Sequence, residues 1–272
     1  MQKIPLYDGK VVLCFNKRNH TYWLDGHPKD ILANATGVLK VLAKPQLIGW
    51  AARIASESWY NRLTPGEVLD EIEIEQCHVD AKVAHKNYTG QRGKIGTIVH
   101  NLCEEAINYH MGLNPYPADP VNPGVLNGFR AFETWVAGLG EVEWLLSERI
   151  TYHVGNKHCG TIDAAYRTCN QVIHGVDFKT GSGVWPEAAL QISSYISSLC
   201  REFGWDFTNK TCEREIIHLD ITNGRPKVWD EKRIQTKLTG MSLTQDYQQF
   251  LHLLATYQWI MEGPNKWAFL KA

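Results

Sequence analysis

HCGTIDAAYRTCNQVIHGVDFKTGSGVWPEAALQISSY, residues 158–195, is the stretch whose pattern decides the fold. Cys159 to Thr168 and Gln171 to Phe178 are rich in β-forming residues and flank a Cys-Asn break, a hairpin signal. A three-residue turn, Cys169 to Gln171, sets Asp163 directly opposite Asp177. Opposed residues of an antiparallel pair share a face, with Cβ atoms roughly 5 Å apart. Lys179 returns to that face through the strand's period of two. Two carboxylates and an ammonium therefore converge at one end of the hairpin. After the Gly-rich loop Thr180 to Val184, Trp185-Pro186-Glu187 opens a helix with Pro near its first position. Gln191 and Tyr195, four residues apart, share one face of that helix.

Adjacent carboxylates repel, and one of them has its pKa raised unless a cation sits between them. Hard divalent cations such as Mg²⁺ take oxygen ligands of this kind, one or two carboxylates with waters and phosphate oxygens. Asp177 also brings the Phe178 carbonyl within reach as a third oxygen. The neighbouring lysine is suited to holding an attacking water, and the helix start points amide dipoles at any phosphate held there. The plainer reading of a bare D-x-K is an exposed ion pair on a surface hairpin, since exposed charge is the default.

Three segments together go further: G-T-I-D at 160–163, D-F-K-T-G at 177–181, and Q-x-x-x-Y at 191–195. They resemble the second and third motifs and the following helix of the PD-(D/E)XK nuclease superfamily. The likeness is to its RecB-type branch, which includes phage exonucleases and the mitochondrial genome maintenance exonuclease. A G-x-x-x-H helix precedes the sheet in that branch, and this chain carries Gly96 to His100 with Glu104 one turn on. The resemblance covers about Arg92 to Asp220. It implies an α/β fold with an αβββαβ core, a mixed central sheet flanked by helices. An N-terminal hairpin and helical elaboration would occupy residues 1–90 and the nuclease core 91–272. It also implies a Mg²⁺- or Mn²⁺-dependent deoxyribonuclease in which Asp163, Asp177, His100 and the Phe178 carbonyl bind the ion. Lys179 would orient the water, and Gln191 and Tyr195 would position the strand. A histidine nitrogen beside hard oxygens favours Mn²⁺ alongside Mg²⁺. The family often places an acidic residue on the first core strand, here Glu148 in Val142 to Tyr152, as a ligand or as support for one. Read from the residues alone, Glu148 is equally an outward-facing glutamate. Glu104 is a second supporting candidate, and both His100 and Glu104 read without the resemblance as ordinary helix residues.

Composition sets outer limits. The chain has 272 residues, 44% of them hydrophobic, with ten Trp, which is ample for a buried core. Its net charge of −1 advertises no global attraction to nucleic acid, so any DNA contact rests on local patches. Seven cysteines without a C-x-x-C argue for a reducing compartment. The absence of a C-terminal cysteine cluster makes an iron–sulfur cluster unexpected. No signal peptide or membrane-length apolar run is visible. A cytoplasmic place in a bacterium or phage-infected cell follows from the resemblance. So do a role in DNA recombination, repair or replication and a recombination or single-strand-binding protein as a further partner.

The remaining segments follow in order. Lys10 to Phe15 and His20 to Asp25 form a hairpin around Asn16 to Asn19. Ala35 to Leu42 and Leu47 to Leu63 are helices separated by Lys44-Pro45. Residues 1–60 carry eight Lys/Arg against four Asp/Glu. Lys40, Lys44 and Arg53 interleave with Trp23, Trp50, Trp59 and Tyr60, a pattern suited to tracking a backbone and stacking bases. It equally suits a solvated face over an aromatic core. Arg92 and Lys94 are further candidates for flanking phosphates. The acidic run from Gly66 to Asp80, including Glu67, reads as a solvated helix face, with a metal cluster as the alternative. A helix from Arg92 to Met111 and another from Val125 to Ala137 precede the core strands. Glu213 to Ile221 and Lys227 to Trp229 are strands, and Ser242 to Met261 is a helix docked on the core.

Two rival classes compete with this reading. Lys179-Thr180-Gly181-Ser182-Gly183 is Gly-rich between strand and helix, but a phosphate-binding P-loop places its lysine after the glycines, so a nucleotide-binding enzyme is rejected. A non-catalytic DNA-binding protein of the same fold would not require every motif residue intact. An endonuclease of the same chemistry remains the sharper competitor to an exonuclease acting from free, preferably single-stranded, ends.

Overall fold

Turn chemistry and capping divide the chain into its elements. The computed structural model describes residues 1–66 and 68–262. β1 (Gln2–Leu6), β2 (Val11–Asn16) and β3 (Thr21–Leu24) form an antiparallel sheet. The β2–β3 hairpin has the expected turn, with Asn16 opposite Thr21. β1 is not announced by the sequence, because its turn takes positive φ at Tyr7, Asp8 and Gly9, and Tyr7 carries no signal for that conformation. Leu6, Leu13, Phe15 and Tyr22 of this sheet pack on Tyr152 and Cys159 of the larger one.

β4 (Ala33–Asn34) leads into α1 (Ala35–Leu39), where Asn34 Oδ1 accepts the Gly37 N–H at 2.7 Å and caps the helix. α2 (Gln46–Tyr60) follows. α3 (Glu71–His110) is one 40-residue helix where the sequence suggests an acidic helix and a separate one from Arg92. Gly90 and Gly93 stand in open space and leave the helix continuous. Its start is a reciprocal cap: Glu73 N–H donates to Asp70 Oδ1 and Asp70 N–H to Glu73 Oε2. Glu71, Glu73 and Glu75 are exposed, as a solvated face requires, and Glu67 lies outside the described residues.

α4 (Pro123–Ala137) is capped by Asn122. β5 (Val142–His153), β6 (His158–Thr168) and β7 (Ile173–Lys179) run antiparallel, and α5 (Pro186–Phe203) carries the chain to β8 (Cys212–Leu219), parallel to β7. β9 (Pro226–Trp229) pairs antiparallel with β8, and β4 adds two residues parallel to the start of β6. α6 (Glu231–Lys237) and α7 (Leu243–Glu262) complete the described chain. The result is a mixed α/β fold, a six-stranded sheet flanked by helices. Among the described residues no helix is long and apolar enough to cross a membrane. All seven cysteines are free thiols.

The chain divides into two compact units, Met1–Val41 with Ile98–Ala272, and Leu42–Thr97. The N-terminal sheet, β4 and α1 therefore belong with the core, whereas the sequence pattern groups residues 1–90 together. The second unit consists of α2 and the first part of α3; within it Trp50 meets Tyr88 edge-on and Arg62 faces Asp80.

One buried cation ties the last two helices to the sheet. Arg214 on β8 is fully buried, and its guanidinium grips Glu231 of α6 bidentately at 2.7 and 2.8 Å. The same group donates to Ser193 of α5 and to Asp246 of α7. Removing one partner of such a buried cluster strands the others without compensation. Arg214→Ala should lower stability by about 3–5 kcal/mol in urea denaturation. Adding Glu231→Gln and Asp246→Asn should recover part of that loss. A loss below about 1 kcal/mol would show that the cluster does not anchor the helices.

Candidate metal centre

The β6–β7 hairpin has the turn expected from its sequence. Thr168 N–H donates to the Val172 carbonyl across Cys169–Gln171, and Gln171 takes φ +63°. Ala164 pairs with Val176, so the register places Asp163 opposite Asp177. The ladder stops there because the Asp163 carboxylate takes over as acceptor, receiving the Phe178 N–H at 2.5 Å. In extended backbone a residue's N–H and C=O point to the same side, so the Phe178 carbonyl also faces the Asp163 edge.

On the other side of β6, the β5–β6 ladder runs from Ser147 opposite Ala164 to Arg149 opposite Ile162 and brackets Glu148 and Asp163. Glu148 sits at φ +43°, a conformation that costs a non-glycine residue on the order of 1–3 kcal/mol and that clusters at functional sites. Glu148, Asp163 and Asp177 thus fall in one row across three adjacent strands.

His100 reaches this row from α3. Its Nδ1 lies 3.5 Å from Asp163 Oδ1 and 3.9 Å from Glu148 Oε1. The helix can lie close because Gly128 of α4 leaves room beside it; a Cβ there would stand 2.7 Å from Val99 Cγ2. The His100 ring also meets the Phe178 ring edge-on. His100, Glu148 and Asp163 each offer a ligand atom within 4.8 Å of the others. Glu148 is therefore one of the gathered groups, where the sequence leaves it between ligand, support and surface residue. Asp177 is not among the three. Its Oδ2 forms an ion pair with Lys179 Nζ at 2.6 Å.

Lys179 is held by a chain of polar groups. Its ammonium donates to Gln191 Oε1 at 3.2 Å, and Gln191 Nε2 donates to the Tyr195 hydroxyl at 2.8 Å. Gln191 Nε2 also lies 3.5 Å from Thr36 Oγ1 on α1, a contact with no sequence signal beyond the helix start at Asn34. Gly160 has a steric reason: a Cβ there would lie 2.3 Å from Tyr195 Cε1.

Electrostatics follow from this geometry. Burial disfavours the His100 imidazolium, yet the Asp163 charge and hydrogen bonds to Asp163 and Glu148 raise its pKa to about 10. Burial raises the Glu148 carboxyl. Burial also raises Asp163, but His100, Lys179 and the Phe178 N–H outweigh it and hold that carboxyl below its ordinary value. Asp177 is pushed up to about 6 by burial, with Asp163 adding to the shift and Lys179 opposing it.

The other anticipated residues lie elsewhere. Glu104 is half-buried on α3, its carboxyl raised by burial, and is not one of the three gathered groups. Lys40 ends α1 and is exposed. Lys44, Arg53, Arg92 and Lys94 belong to the helical unit. There Arg53 pairs with Glu57 at 2.5 Å and Arg92 lies over the Tyr88 ring, so part of that positive charge is taken up locally.

Two carboxylates and an imidazole with converging donor atoms suit a divalent cation of hard to borderline character. No protein-family model matches the chain, and no curated protein sequence matches it.

The Asp177 shift has a stability consequence. A carboxyl raised from 3.8 to about 6 holds its proton more tightly in the folded state. Its stabilising contribution is therefore present at low pH and is lost as pH rises through about 6. At pH 7 the ionised group costs on the order of 1–3 kcal/mol. Asp177→Asn should raise stability at pH 7 by that order, and the gap should close as pH falls toward 4. Urea melts at both pH values check this; an Asn variant less stable at pH 7 would contradict it.

Proposed function

We propose that this chain is a metal-dependent deoxyribonuclease with a PD-(D/E)XK-type core, hydrolysing phosphodiester bonds from a free end. One observation carries the reading: His100, Glu148 and Asp163 converge beside a lysine on the next strand. The order of strands and crossover helix, with β5, β6 and β7 antiparallel and β8 parallel to β7, agrees with the core that the motifs imply.

In this proposal His100, Glu148 and Asp163 hold Mg²⁺ or Mn²⁺, with Asp177 and the Phe178 carbonyl completing the set. A divalent ion held there would supply a Lewis acid for a phosphoryl oxygen and lower the pKa of a bound water. Lys179 is the group that orients the attacking water and faces negative charge developing on phosphorus. Gln191, fixed between Tyr195 and Thr36, holds the lysine ammonium in place. Tyr195 keeps its proton, because burial raises its hydroxyl far above the working range, and accepts the Gln191 Nε2 hydrogen bond. The basic and aromatic residues of the N-terminal segments and helical unit support a substrate that is a nucleic acid strand.

The test uses linear, end-blocked and circular single-stranded DNA with Mg²⁺. The proposal expects degradation of the linear strand alone, with Lys179→Ala slowing it on the order of 10²–10³-fold. His100→Ala should lose activity in Mg²⁺ and recover part of it at high Mn²⁺. Efficient cutting of closed circles would make the enzyme an endonuclease. Normal Mg²⁺-dependent cleavage by Asp177→Ala would remove the site assignment.

A further inference from the structure

The sheet register continues the row of functional side chains past Lys179. Lys179 pairs with His218 on β8, and His218 pairs with Lys227 on β9. Residues opposite one another in a ladder share a face, so the three side chains line up across neighbouring strands. Two strand spacings separate Lys179 from Lys227, roughly 10 Å. A cavity of about 320 Å³ opens at this end of the row. Its wall includes Ser182 and Gly183 of the loop after β7, then His218, Arg225, Lys227 and Trp229.

The charges in this cavity are unbalanced. Arg225 and Lys227 are exposed, and among the described residues neither has a carboxylate partner; Lys227 lies only against the Trp229 ring, 5.1 Å from its centre. Asp220 is the one acidic residue in the wall. Its Oδ1 accepts the N–H groups of Thr222 and Asn223, so it is directed into the β8–β9 turn. His218 Nε2 lies 2.7 Å from the Gly181 carbonyl, which can only accept, so this nitrogen carries the proton and ties the glycine loop to β8. The Trp229 ring is already covered by the Arg233 guanidinium at 4.4 Å, which leaves that face closed to a stacking base. Two cations without a carboxylate partner among the described residues and a covered indole suit a phosphate far better than a nucleobase.

We propose that this cavity is a second nucleic-acid subsite, in which Arg225 and Lys227 bind a backbone phosphate flanking the one cleaved beside Lys179. The subsite rests on the nuclease reading above and adds the track the strand follows across β7, β8 and β9. Because phosphates carry no sequence, the contact strengthens binding without selecting bases.

The test is a fluorescence-anisotropy titration of end-labelled dT and dA oligonucleotides, in EDTA so that no metal-dependent cleavage intervenes. The wild-type chain is compared with the double variant Arg225→Ala/Lys227→Ala, whose side chains are exposed and whose melting curve should match the wild type. The expected result is binding about tenfold weaker for both oligonucleotides. The slope of log Kd against log salt should be lower by about 1.4, two contacts at about 0.7 each. Unchanged affinity and slope would overturn the subsite and leave the nuclease reading standing, because cleavage of linear DNA by the wild type decides that separately. A loss confined to one base would overturn the phosphate assignment in favour of a base pocket. Absence of both binding and cleavage by the wild type would remove the nuclease reading and the subsite with it.

Discussion

The arrangement of this protein turns on electrostatic repulsion. Three carboxylates, Glu148, Asp163 and Asp177, fall side by side on β5, β6 and β7 at a place where the sheet is covered. Like charges at such spacing cannot all ionise without help. Help comes from two directions, His100 carried in on α3 and Lys179 on β7 itself. The two are not equivalent. His100 answers Asp163 and Glu148, while Lys179 answers Asp177, which still remains hard to ionise. This residual frustration is what a divalent cation would relieve, and it explains why a stable fold tolerates so unfavourable a row.

The rest of the unit keeps that row in place. α5 lies close against the sheet because glycines stand beneath it: a Cβ at Gly175 would press within 2.5 Å of Ile196, and one at Gly160 would strike Tyr195. Its buried serines satisfy their hydroxyls on the helix's own carbonyls, Ser193 to Ala189 and Ser198 to Ser194, so small polar residues pack there without orphaned groups. Arg214 then locks α5, α6 and α7 to β8 through one buried cation. The strain sits at Glu148, whose backbone takes a positive φ and whose carboxylate lies 3.9 Å from His100 Nδ1.

Much of the central hairpin is legible in the sequence, because a period of two and a three-residue turn leave one register. The shared face of Gln191 and Tyr195 is legible for a similar reason, from helical spacing, whereas the bond from Lys179 to Gln191 is not announced. Glu148 is only half legible. Its part depends on a backbone irregularity that no local pattern announces, and regular alternation leaves it an ordinary outward residue. The length of α3 escapes a sequence reading because Gly90 stands just before the expected helix start at Arg92, whereas a helix tolerates an isolated glycine at about 1 kcal/mol. Thr36 and the Arg225–Lys227 pair carry no sequence signal as functional residues. They become neighbours of the row only through α1 and β9, contacts far apart in sequence.

The central claim is that Glu148, with His100 and Asp163, holds a divalent cation. The most direct measurement is a calorimetric Mn²⁺ titration of the wild type and of Glu148→Gln, an isosteric change that removes one charge and keeps the side chain's volume. The account predicts a saturable site in the wild type and a loss of affinity of about 10–100-fold in the variant. Equal Mn²⁺ affinity in the two proteins would contradict it.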